Sequence, residues 1–137
     1  MKKIPFLTLL LMTLAGATRA DICETDAIRA IVGEAANQGP EGMLAVAGAI
    51  RNRGTLHGVY GLHNPCVDQQ PAWVWQNART AWSASLTNDI THGATAWENT
   101  QAFGTPYWAK SMQPTAKIGD QQFYSQRPAN EPEPLPD

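Results

Sequence analysis

A chain of 137 residues with a formal net charge of −2 is too short for two separate cores and lacks the basic footprint of a nucleic-acid binder. Two cysteines and three histidines, with no HExxH or paired-cysteine spacing, point to no metal and no cofactor. Loop histidines such as His57, His63 and His92 are most simply plain polar residues.

Met1-Lys2-Lys3, a mostly apolar run from Ile4 to Ala17, and Thr18-Arg19-Ala20 match the basic, apolar and small-residue regions of a secretory signal over 1–20. Cleavage is expected after Ala20, which would export the protein to the periplasm, the cell wall or the medium with no stable membrane anchor. The apolar run is shorter than the roughly 20 residues of a comfortable spanning helix, so a retained anchor is the alternative. Losing Lys2, Lys3 and Arg19 takes the formal charge from −2 to −5. One domain over 21–126 and a disordered Pro- and acid-rich tail over 127–137 complete the expected organisation.

In an exported protein, Cys23 and Cys66 are expected to form a disulfide, which the chain-entropy model values at roughly 4 kcal/mol for a loop of this length. Two buried free thiols are the other reading.

The first helix is expected to start at Thr25, with Asp26 complementing the dipole in its first turn. Ile28, Ile31, Val32 and Ala35 make one apolar stripe. Glu34 falls about 110° from the middle of that stripe, on the flank with Ala27 and Ala30, where a carboxyl can line a groove. Asn37-Gln38-Gly39-Pro40 breaks the helix, and Pro40 opens a second one with Met43, Val46, Ala47 and Ile50 inward. Arg51 and Arg53 sit at its negative end, and Gly54 stops it. The small faces of these two helices predict a close αα-hairpin.

The segment from Thr55 to Gln70, rich in glycine and containing Pro65, reads as a long loop. A third helix is expected from Ala72 to about Leu86, with Trp75 and Trp82 supplying core volume. After the turn at Asp89 to Gly93, Thr95 to Asn99 and Gln122 to Ser125 read as short strands able to pair. The fold class is therefore α+β: a small, mainly helical domain with a short antiparallel hairpin or sheet.

Three ordered blocks carry a family resemblance: Ala30 to Arg53 (AIVGEAANQGPEGMLAVAGAIRNR), Gly93 to Asn99 (GATAWEN) and Thr115 to Tyr124 (TAKIGDQQFY). They resemble the signature blocks of the SleB-type cell wall hydrolases, named for the spore-cortex-lytic enzymes. The resemblance spans roughly Asp26 to Tyr124. It implies a lysozyme-like domain that cleaves the β-1,4 bond between N-acetylmuramic acid and N-acetylglucosamine in peptidoglycan glycan strands, the expected partner. Within Gly33-Glu34-Ala35, Glu34 occupies the position of the family's catalytic acid. In the lytic transglycosylase version one glutamate suffices, acting as acid and then as base.

Glycoside cleavage needs a proton at the leaving oxygen, and partial burial of a carboxyl beside alanines and aromatic rings favours its protonated form. A hydrolytic enzyme usually adds a second carboxyl, about 5 Å away if retaining and about 6.5–9.5 Å if inverting. Asp120, Glu98, Glu41 and Asp89 are the candidates. Asp120 stands where the family commonly has asparagine, and Gln121 where it often has histidine, so Asp120 is either a second acid or a turn residue.

Sugar rings stack on aromatic faces and hydrogen-bond through hydroxyl and acetamido groups. Tyr124, Trp108 and Tyr107, with Trp97 and Asn99 from the opposing strand, are the candidate substrate contacts, and Thr115 is a candidate hydrogen-bond partner for the glycan or for Glu34. Two other functions fit the same sequence: a noncatalytic peptidoglycan-binding protein on this fold, or a peptidoglycan amidase with Cys66 as nucleophile and His92 as base.

Overall fold

The structure, a computed structural model, describes residues 21–129. The leader expected over 1–20 and the part of the tail beyond 129 lie outside the described residues. Helices α1 (Glu24–Ala35), α2 (Gly39–Arg53) and α3 (Ala72–Ala84) form the helical half. The other half holds β1 (Ala96–Glu98), the single-turn helix α4 (Thr100–Phe103), β2 (Met112–Ile118) and β3 (Gln121–Gln126).

The apolar stripe of α1 is buried as its spacing requires, with Ala27, Ile28, Ile31, Val32 and Ala35 in the core. The helix begins at Glu24, one residue before Thr25: Cys23 is the N-cap without a side-chain bond, and Glu24 joins Asp26 in the first turn. Pro40 stands in the first turn of α2, and Gly54 closes it in the left-handed region at φ 71°. Met43, Val46 and Ile50 are buried against α1, and the run of alanines and Gly48 lets neighbouring segments approach closely. Trp82 is buried and Trp75 packs half-buried against the same core.

The long Thr55–Gln70 loop contains two 3-10 helices, Tyr60–His63 and Pro65–Gln69. Its second helix is docked by Asp68, which receives both terminal nitrogens of Arg29 at 2.7 and 3.0 Å, while Arg29 Nε donates to the Leu62 carbonyl at 3.0 Å. The paired carboxylate holds the Arg29 pKa up, and the guanidinium holds that of Asp68 down. The expected Cys23–Cys66 bridge is not formed: both thiols are free and exposed. Arg29 anchors the segment that carries Cys66 beside the middle of α1, whereas Cys23 caps the start of that helix.

The two expected strands pair antiparallel, Ala96 with Tyr124, Trp97 with Phe123 and Glu98 with Gln122. A third strand, β2, was not anticipated; it pairs with β3 from Met112–Gln126 to Ile118–Gln121, giving the order β1-β3-β2. Pro114 masked it, since proline removes a ladder donor. The strand tolerates it as a sheet edge with an irregularity between Pro114 and Ala116. Strand alternation splits the sheet's two faces. Phe123 is fully buried in the helical core with Trp97 tilted beside it at 6.3 Å, whereas Tyr124 joins Ala109, Met112 and Ala96 in a separate small cluster.

Of three consecutive residues at the end of α2, Arg51 ties it to α3, and Asn52 and Arg53 join the two halves. Arg51 lies over the Trp82 ring at 3.6 Å and donates to Ser85 Oγ at 2.7 Å. Asn52 donates to Asp89 and to the Ala94 carbonyl, both at 2.9 Å. Arg53 donates to the Thr95 carbonyl at 2.8 Å and to that of His57.

Candidate active site

A cleft of about 810 Å³ runs between the two halves, within the range of about 300–1,000 Å³ typical of ligand sites. Glu34 reaches it from the last turn of α1, and Tyr60 from the adjoining 3-10 helix; Trp97, Glu98 and Asn99 come from the strand side, and Phe103 from α4. Glu34 is half-buried, and both of its oxygens are engaged. Oε1 accepts the Gly61 backbone N–H at 2.8 Å, and Oε2 accepts the Trp97 indole N–H at 3.3 Å.

The first of these bonds depends on two glycines. A Cβ on Gly33 would lie 2.0 Å from the Gly61 carbonyl oxygen, and one on Gly61 would lie 2.7 Å from Glu34 Cγ. Only hydrogen at both positions lets the 3-10 backbone press against α1 and aim its N–H at the carboxyl. Gly33 inside an otherwise regular helical pattern is the sequence signal for this contact, whereas Gly61 is one of several glycines in a segment that reads as a loop.

Trp97, Asn99 and Trp108 all line this cleft with Glu34. Asn99 also caps α4, its Oδ1 accepting the Ala102 N–H at 3.0 Å. Tyr124 does not line it: it is buried under Trp108, whose ring meets it edge-on at 5.3 Å. Burial, and secondarily the Glu98 carboxylate, push the Tyr124 phenol above its ordinary pKa. Tyr107 is 87% exposed outside the cleft, with the Lys110 ammonium 5.8 Å from its ring. Thr115 also lies outside, its buried hydroxyl without a hydrogen-bond partner among the described residues, so it does not hold Glu34.

The four candidate second carboxyls separate clearly. Asp120 sits on the exposed β2–β3 turn after Gly119 at φ 57°. There Gln38 accepts its N–H at 3.1 Å and donates to its carboxylate at 3.4 Å. This is a turn residue clasped to the α1–α2 connection, outside the cleft. Glu41 is exposed in the first turn of α2, and Asp89 is engaged in the loop before β1. Glu98 alone of the four lines the cleft, its Oε1 accepting the Asn99 N–H at 2.9 Å. Cys66, in the second 3-10 helix, lies outside the cleft and has no hydrogen bond to His92 among the described residues.

Sequence reasoning missed Tyr60 and Phe103. Each is an aromatic side chain within a segment whose spacing carried no regular pattern.

No family model matches the chain, and no curated protein matches it. Two solved structures do. The catalytic domain of the Bacillus cereus SleB protein is 25% identical, with 81% of this chain and 99% of that chain covered at a TM-score of 0.57. The catalytic domain of the germination-specific lytic transglycosylase SleB from Bacillus anthracis is 24% identical, with 74% and 93% covered at a TM-score of 0.57. The resemblance read from the three sequence blocks and the likeness in three dimensions agree: the chain has the fold of the SleB catalytic domain.

Proposed function

We propose that this protein is an exported lytic transglycosylase that cleaves the glycan strands of peptidoglycan, with Glu34 as its acid and base. The observation that carries the reading is the half-buried Glu34 carboxyl, held at both oxygens on the wall of the cleft in a fold shared with a lytic transglycosylase. Fixing a carboxyl from two sides removes its rotamer search and presents one geometry to the scissile bond.

Glu34 gives its proton to the oxygen bridging N-acetylmuramic acid and N-acetylglucosamine, and the C1–O bond breaks with its electron pair on that oxygen. The 2-acetamido group of the substrate stabilises the positive charge developing at C1. Glu34, now a carboxylate, takes the proton of the muramyl 6-hydroxyl as that oxygen attacks C1. The products are a 1,6-anhydromuramyl end and a free 4-hydroxyl, with no water consumed and Glu34 protonated again.

Mass spectrometry of digested murein checks this chemistry. Anhydromuramyl ends are expected; reducing muramyl ends in their place would make the protein a hydrolase, with Glu98 the first carboxylate to test. Sedimentation with sacculi that release no soluble fragments would instead mark a noncatalytic binder.

A further inference from the structure

Two of the most exposed aromatic rings among the described residues, Tyr60 at 81% and Phe103 at 79%, line the Glu34 cleft from its two different walls. Neither ring owes its position to core packing. Each nevertheless stands on a backbone that is held firmly. Tyr60 precedes Gly61, whose contact with Gly33 and bond to Glu34 fix that turn against α1. Phe103 ends α4, where its N–H donates to the Asn99 carbonyl at 3.0 Å and the Gly104 N–H donates to the Thr100 carbonyl at 2.9 Å. Gly104 leaves the helix at φ 75°, a conformation disfavoured for residues with a side chain.

Water-exposed aromatic faces in a concave site, interleaved with the polar groups of Gln38, Glu98 and Asn99, match what a carbohydrate presents: apolar ring faces rimmed by hydroxyls and amides. We propose that Tyr60 and Phe103 are stacking platforms for sugars on either side of the scissile bond, so that the cleft selects strands longer than a disaccharide. The proposal rests on the glycan-cleaving reading and extends it to strand length. Trp97 and Glu34, which line the same cleft, handle the central linkage. A short oligosaccharide can occupy the centre while touching neither outer ring.

The test uses the full-length protein and peptide-free muramyl strands fractionated by length. Tyr60→Ala and Phe103→Ala should each raise KM on long strands about tenfold, the loss expected for one aromatic stacking contact, while kcat stays within about twofold. On the disaccharide, which reaches neither outer ring, both variants should bind as the parent does, and Tyr60→Phe and Phe103→Tyr should restore the long-strand KM. Unchanged KM on long strands overturns the proposal, as does an equal loss at every length, which would mean a merely structural role. If the parent neither binds nor cleaves long strands, the glycan reading itself fails. If the parent cleaves them and both alanine variants equal it, only the platforms are rejected.

Discussion

The two walls of the cleft are built on opposite physical principles. The helical wall is closed by small residues: alanines of α1 and α2 at zero exposure, and the Gly33–Gly61 contact that no side chain could enter. The sheet wall is short strand and single-turn helix, with half-buried β1 and aromatic rings standing in water. Close packing fixes atoms to within fractions of an ångström, whereas exposed rings on short elements can adjust to what they meet. The proposed acid, Glu34, comes from the tight wall, and most of the surface that could grip a polymer comes from the open one. Precision and adaptability are thus supplied by different halves of one small molecule.

The largest test of this division is Glu34→Gln. The amide oxygen can still accept the Gly61 N–H, so the fold should persist, with circular dichroism and the melting curve near those of the parent. Activity on sacculi should fall by about 10²–10⁴-fold, the usual worth of a positioned acid–base group. Retained turnover would remove Glu34 from the chemistry.

Next comes Gly33→Ala. In an ordinary helix this change gains about 1 kcal/mol in propensity, but here the methyl would collide with backbone that cannot step aside. A net loss of about 1–3 kcal/mol is expected by thermal or urea unfolding, together with reduced activity because the Gly61 N–H is driven off Glu34. A stabilised variant would mean that the tight wall is looser than its geometry. A smaller effect belongs to Trp97→Phe, which keeps a ring beside Phe123 and deletes only the indole donor to Glu34. The kcat should drop about tenfold, as for one hydrogen bond of about 1.5 kcal/mol, with little change in melting temperature.

The same division explains what could be read from the sequence. The helical half announced itself: Ile28, Ile31 and Val32 repeat at helical spacing, Pro40 and Gly54 mark the bounds of α2, and Glu34 falls on the flank of the stripe. Pairing of the Trp97 and Phe123 segments was also legible, because short apolar-polar alternation bounded by turn residues has few other solutions. Strand β2 was hidden by Pro114, whose allowance as an edge residue is a property of the sheet and not of its own neighbours. Tyr124 was misplaced for a related reason. Alternation says that Phe123 and Tyr124 face opposite ways, but not which face meets the cleft. Arg51 and Arg53 looked like helix-dipole partners. Their longer reach, of Arg51 to Trp82 on α3 and of Arg53 to the strand entrance, exists only once the elements have packed. An even cysteine count behind an export signal predicts a bridge, whereas both thiols are free and exposed, a matter of spatial placement that count and compartment do not encode.

Asp89 sits where the two halves meet, and its ionisation offers the finest test of how tightly they are joined. Its carboxylate accepts from Thr91 N–H and Oγ1, from Gly93 N–H and from Asn52 of α2, tying the entrance of β1 to the helical half. Burial pushes its pKa up, but the hydrogen bonds from Thr91, Asn52 and Gly93 together outweigh burial and leave it below the ordinary value. A folded pKa lower than the unfolded one means that the contribution is fully present above the unfolded value of about 3.9 and is lost as the pH falls through the folded value. Asp89→Asn keeps the shape and discards the charge, so it should cost about 1 kcal/mol near neutrality, or about 4–8 °C in melting temperature. That gap between parent and variant should hold steady from about pH 7 to pH 5 and shrink below about pH 4. If the gap instead persists unchanged in acid, the charge on Asp89 is not what holds β1 to α2, and the joint would rest on Arg53, on the Asn52 bond to the Ala94 carbonyl and on the burial of Phe123.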